Sequence, residues 1–141
     1  VAVSGKTLVV GAYLEDSNAT GVNGGQVNNG AADSGAAYVF VRSGSSWSLQ
    51  AYLKASNPEE DDHFAHALGL SGDSLVAAAP SEDSQATGVD GDDSDNSAFS
   101  AGAAYVFDIA AVTPNAWTDQ GCGLAGVAGV ALSNAIAGVT P

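Results

Sequence analysis

Residues Leu70 to Phe107 are a second copy of Val3 to Phe40, aligned without a gap at a constant offset and identical at roughly half of the positions. The matches fall where they carry physical meaning. Ser4-Gly5 recurs as Ser71-Gly72 at a turn, and Leu8-Val9 recurs as Leu75-Val76 at the start of an apolar run. Gly35-Ala-Ala-Tyr-Val-Phe40 recurs intact as Gly102-Ala-Ala-Tyr-Val-Phe107. A unit of this length, repeated, excludes most single-core folds and leaves a solenoid, a propeller or an array, whose function is written on a repeated surface.

The pattern inside each unit is that of strands. Val1 to Ser4 reads as the end of a strand, Gly5-Lys6 as a tight turn, and Thr7 to Ala12 as a short, nearly continuous apolar strand. Tyr13 to Ser34 is rich in Asp, Asn, Gly, Ser and Thr. A loop of that length is either functional or mobile. Ala36 to Arg42 is the next strand. Trp47 to Ala55 then alternates, with Trp47, Leu49, Ala51 and Leu53 on one side and Ser48, Gln50, Tyr52 and Lys54 on the other. Phe64 to Leu70 opens the second unit, followed by Ser74 to Ala79, a long loop from Pro80 to Ala101, and Gly102 to Phe107. The pattern stops after Asp108 without a fourth strand. The fold class is therefore all-β, with about two four-stranded antiparallel blades of a propeller and an irregular C-terminal tail. Residues 1–57 form a partial blade, 58–112 a second, incomplete blade, and 113–141 a linker or the start of a following domain. Two blades cannot close a ring, so the chain reads as a fragment whose remaining blades lie elsewhere in a longer protein.

Charge narrows the partners. Sixteen Asp and Glu against three Lys and Arg give a net charge of -13, which excludes phosphate-rich nucleic acid and anionic membrane surfaces. In the tail, Gly121, Gly123, Gly126 and Gly129 and the pair Ser133-Asn134 dilute the apolar run, and no Lys or Arg flanks it, so no membrane span is expected. Cys122 lacks a partner for an internal disulfide and sits in no catalytic motif; it reads as a bystander thiol.

Four strands per unit, Phe64-Ala65 at the head of the second unit and Ala78-Ala79-Pro80 at the end of its second strand resemble the FG-GAP repeat, with Gly11-Ala12-Tyr13 at the latter place in the first copy. The family has Phe-Gly and Gly-Ala-Pro at these positions. The resemblance implies blades of the seven-bladed propeller found in integrin alpha chains and bacterial surface proteins. It also implies an extracellular or cell-surface location and protein or glycan ligands. Ala116 to Gly126 looks like segments that follow such repeats in large secreted bacterial proteins. In integrin-type blades calcium lies between the first and second strands, but here those hairpins are only Ser4-Gly5-Lys6 and Ser71-Gly72-Asp73, too short for that motif.

Candidate chemistry is sparse. Asp90, Asp92, Asp93 and Asp95 crowd one loop tip and could wrap a hard cation such as Ca2+. The matching first-copy residues, Asn23 to Asn29, carry no charge, which favours a solvated acidic loop instead. Glu15-Asp16-Ser17 and Glu82-Asp83-Ser84 recur in register after the second strand. Adjacent carboxylates with no companion nucleophile suit loop capping, with Asp16 and Asp83 accepting backbone N–H bonds, better than acid–base work. His63 and His66, at the expected start of a strand, should face opposite ways and share no metal. No phosphate loop, triad signature or zinc spacing occurs, so the chain is expected to be no enzyme. The expectation is a non-enzymatic interaction or adhesion module of a secreted or cell-surface bacterial propeller protein. The alternative is an accessory propeller domain of a larger extracellular hydrolase.

Overall fold

A computed structural model describes residues 1–110 and 112. The described part holds two antiparallel sheets and no helix. The first is a four-stranded meander of β1 (Ala2–Ser4), β2 (Thr7–Ala12), β3 (Ala36–Ser43) and β4 (Ser46–Leu53). The second has three strands, β5 (Ala67–Ser71), β6 (Ser74–Ala79) and β7 (Ala103–Asp108), also in sequential order. Among the described residues these are one four-stranded propeller blade and three strands of a second.

The repeat is kept at the level of register. Leu8 pairs with Phe40 and Ala12 with Ala36 in the first unit, and Leu75 pairs with Phe107 and Ala79 with Ala103 in the second. Two-residue turns close the hairpins, and each has its glycine at positive φ: Gly5 at 58°, Gly44 at 61° and Gly72 at 57°. Glycine reaches this left-handed region without the penalty a Cβ imposes.

The sheets share one core. Val9, Val39, Ala51 and Leu53 of the first meet Leu75, Ala77 and Phe107 of the second and Phe64 just ahead of it, all at 4% exposure or less. Small residues on the facing strands let the sheets approach. The Phe64 ring then fills the gap edge-on, its centroid 5.3 Å from Tyr105 and 6.0 Å from Phe107.

Three sequence expectations are corrected. The first strand of the second unit begins at Ala67, not Phe64. His63 and Ala65 hold left-handed φ values of 57° and 65°, so Phe64 lies in a turn rather than an extended strand. Its amide donates to the Ser34 carbonyl at 2.9 Å, and Phe64-Ala65 rests on the bare backbone of Gly11 and Gly35, where a Cβ would collide with the carbonyls of Ala65 and Phe64 respectively. The matching positions in the second unit are Ala78 and Gly102. Second, β4 ends at Leu53 rather than Ala55, because Lys54 and Ala55 pair with the long loop instead of β3: Lys54 N donates to Gly21 O at 2.7 Å and Gly21 N to Ala55 O at 3.1 Å. Third, the alternation in β4 breaks at Gln50, the extra residue of a bulge opposite Val39 and Phe40. Trp47 is consequently exposed, while every residue from Ala51 to Ala55 is buried. The expected linker at 113–141, with Cys122, lies outside the described residues.

Candidate functional site

The long loops are built on one framework used twice. In the first unit Glu15 O accepts from Gly35 N at 2.9 Å, Asp16 O from Ala31 N at 2.9 Å, and the Asp16 carboxylate from Asp33 N at 2.9 Å. In the second, Glu82 O accepts from Gly102 N at 2.8 Å, Asp83 O from Ala98 N at 2.9 Å, and the Asp83 carboxylate from Ser100 N at 2.6 Å. Both glutamate side chains also cap the serine two residues on, at 3.1 Å. The paired carboxylates thus satisfy backbone donors that would otherwise be stranded where the loop crosses the sheet. Asp16 and Asp83 cap the loops as the sequence pattern indicates.

In the first unit this framework encloses a buried charge. Lys54 is fully buried, and its Nζ donates to Glu15 Oε2 at 3.0 Å and to Ser34 Oγ at 2.7 Å. Beside it Tyr52 OH and Ser17 Oγ lie 2.6 Å apart, and the Tyr38 ring packs 5.3 Å from that of Tyr52. Burial pulls the Lys54 pKa below the usual lysine value, against the Glu15 hydrogen bond and the charges of Glu15, Asp16 and Asp62. Burial also raises the Tyr52 hydroxyl above the usual tyrosine range. The sequence placed Lys54 on the polar side of β4, but that side is roofed by the loop.

The second loop carries the acidic tip. Asp92 Oδ1 accepts from both Ser94 N at 3.1 Å and Ser94 Oγ at 2.6 Å, bonds that lower its pKa. Asp95 Oδ1 accepts from Ser97 N at 3.0 Å. Asp93 Oδ2 accepts from Ser56 Oγ at 3.4 Å, and Asp90 sits at a φ of 51°. Asp92 and Asp95 are thus turned to their own loop, and Asp93 reaches back to the segment that joins the two units. Among the described residues, the group of three side chains whose ligand atoms all lie within 4.8 Å of one another is instead Asp33, Asp61 and His63. Sequence reasoning missed this grouping because its members come from a loop end and from the segment joining the two units. His63 and His66 do not face opposite ways, since they lie in a turn: both rings approach the edge of Tyr13, at 5.8 and 5.1 Å.

Asp62 gathers the remaining electrostatic tension. It is 4% exposed, and its Oδ2 accepts from Glu59 N at 2.8 Å. Burial raises its pKa to about 6, helped by the charges of Glu82, Glu59 and Asp83 and opposed by the Glu59 bond.

The FG-GAP repeat family matches residues 47–107, from β4 of the first unit to β7 of the second. This segment is an FG-GAP repeat. The match spans the Phe64-Ala65 turn, the Ala78-Ala79-Pro80 strand end and the acidic loop. FG-GAP repeats are typically non-catalytic repeat modules and usually extracellular. Among the described residues no helix is long and apolar enough to cross a membrane. No curated protein and no solved structure matches the chain.

Proposed function

We propose that the chain is a non-enzymatic interaction or adhesion module of a secreted or cell-surface β-propeller protein, binding a protein or glycan through the tips of its long loops. One observation carries the reading: the loop framework is constant between the units while the tips diverge. Glu15, Asp16, Ser17 and Gly35 keep their hydrogen bonds as Glu82, Asp83, Ser84 and Gly102. The tip changes from neutral Asn23-Gly-Gly-Gln-Val-Asn28 to acidic Asp90-Gly-Asp-Asp-Ser-Asp95. A rigid scaffold that presents variable polar tips is the physical arrangement used by binding loops.

The test immobilises the chain on an array of glycans and extracellular matrix proteins, beside a variant in which residues 90–95 are replaced by the sequence of residues 23–28. Binding by the parent and a loss of at least tenfold in the variant, with circular dichroism unchanged, is the expected result. Absence of binding across the array, or equal binding by both proteins, overturns the assignment.

A further inference from the structure

The turn that carries Phe64 into the core is laced to the end of the first loop by three backbone bonds. Asp61 N donates to Ala32 O at 2.9 Å, His63 N to Asp33 O at 3.1 Å and Phe64 N to Ser34 O at 2.9 Å. The lacing sets Asp33, Asp61 and His63 side by side, with ligand atoms that all lie within 4.8 Å of one another. Asp33 and His63 are half-buried and Asp61 is exposed, so the cluster opens to solvent on one side.

The repeat supplies an internal control for the Asp33 carboxylate. Its counterpart, Ser100, holds the same bend, with a φ of 50° against 54°, and gives its amide to Asp83 as Asp33 gives its own to Asp16. The loop framework therefore needs the backbone at this place and not the acid. Among the described residues neither the Asp33 nor the Asp61 carboxylate accepts a hydrogen bond or meets a cation. The three basic side chains of the chain lie elsewhere: Lys54 at Glu15, Arg42 over the Trp47 ring and Lys6 in the β1–β2 turn. Residues 111–141 hold no Lys, Arg or His. Two carboxylates kept this close without a cation repel each other. His63, by contrast, is held from outside the cluster, its Nδ1 3.2 Å from Ser81 Oγ and its ring edge-on to Tyr13 at 5.8 Å. An oxygen partner that fixes the imidazole is the support a metal-bound histidine uses.

We propose that Asp33, Asp61 and His63 bind a divalent transition-metal ion, zinc by preference, which clamps the first loop to the turn leading into the second unit. Two carboxylates and one imidazole make a three-ligand set that zinc completes with water, whereas calcium asks for about six to eight oxygens. Ligands about 2.1 Å from a tetrahedral ion stand about 3.4 Å apart, so side-chain movements of about 1 Å close the site. Exposed Asp61 is free to make them. The backbone bonds already hold the two segments together, so the ion has no loops to assemble. None of the three residues lies at the loop tips, so the inference stands or falls apart from the proposed adhesive role.

Zinc chloride titrated calorimetrically into the full 141-residue chain tests the site, with Cys122→Ser removing the one thiol. Saturable one-to-one binding is expected, together with a rise in Tm that calcium does not produce. Asp33→Ser installs the residue that the second unit accommodates at this place, and Asp61→Asn and His63→Asn keep a side chain that tolerates the left-handed backbone. Each should weaken zinc binding at least tenfold and cancel the rise in Tm. Because Asp61 is exposed, Asp61→Asn reads the site with the fold intact. His66→Ala and Asp92→Asn should leave the affinity unchanged. No saturable zinc binding, binding indifferent to Asp61→Asn or His63→Asn, or an equal loss in His66→Ala or Asp92→Asn overturns the proposal.

Discussion

Lys54→Met tests whether the roofed charge holds the first loop to its sheet. The substitution keeps most of the side-chain volume but removes two charge-assisted hydrogen bonds, to Glu15 and Ser34. It leaves the Glu15 carboxylate hydrogen-bonded to Ser17 N but without its lysine. Breaking a buried pair from one side costs about 3–5 kcal/mol. Glu15 keeps 17% of its side-chain surface exposed, so water recovers part of that, and about 2–4 kcal/mol is expected. For a structured part of this size the loss corresponds to a fall in Tm of about 10 °C or more. Lys54→Met/Glu15→Gln should recover much of it, since both charges then leave the interior together. Urea unfolding followed by far-UV circular dichroism gives the double-mutant cycle, with an expected coupling above about 1.5 kcal/mol. The pH dependence has a definite sign. The folded-state pKa of Lys54 lies below 10.5, so the unfolded chain binds more protons in the window up to 10.5, and this group makes stability rise with pH there. Lys54→Met should lack that rise. A single-mutant cost under about 0.5 kcal/mol, or a coupling near zero, would refute the structural role of the pair.

Asp62 gives the opposite slope. Its folded pKa of about 6 exceeds 3.8, so its contribution is fully present below pH 3.8 and is lost as pH rises through 6. Relative to Asp62→Asn, the parent should gain on the order of 1–3 kcal/mol between pH 7 and pH 4, measured by urea melts, and parallel curves would contradict the assignment. Gly35→Ala combines a φ of 86° with a Cβ driven into the Phe64 backbone, and should cost more than about 3 kcal/mol. Gly72→Ala, at a φ of 57° with open space around it, should cost only about 1 kcal/mol, and equal losses in thermal melts would deny the close contact. Millimolar calcium should leave Tm unchanged, because Asp92 and Asp95 already accept from their own loop. A saturable rise abolished by Asp92→Asn would establish a cation site there.

The fold was legible because the repeat fixes register. Leu8 opposite Phe40 and Leu75 opposite Phe107 follow from apolar runs separated by turn residues, and neither copy needed distant information. What stayed hidden depends on contacts across long separations. Phe64 reads as a strand residue until Gly11 and Gly35 are seen to make room for a left-handed turn beneath it. Lys54 reads as a solvent-facing residue because the bulge at Gln50 and the roof from Glu15 to Ser34 leave no local trace. The capping carboxylates were visible, since their recurrence in register demands a structural cause. The Asp33, Asp61 and His63 grouping was not, being assembled from separate segments.

The glycine seat under Phe64-Ala65 gives the array a polarity. A unit donates its phenylalanine turn to the unit before it, and acceptance requires a residue without a side chain where β2 holds Gly11. The second unit has Ala78 at that place, although it keeps Gly102 at the other half of the seat. A further unit docked in the same pose would press its turn carbonyl onto the Ala78 methyl, so the backbone must shift or the crossing angle must change. The two units share roughly half of their residues, yet they are unequal as links: the first is shaped to accept a phenylalanine turn in this pose, and the second is not.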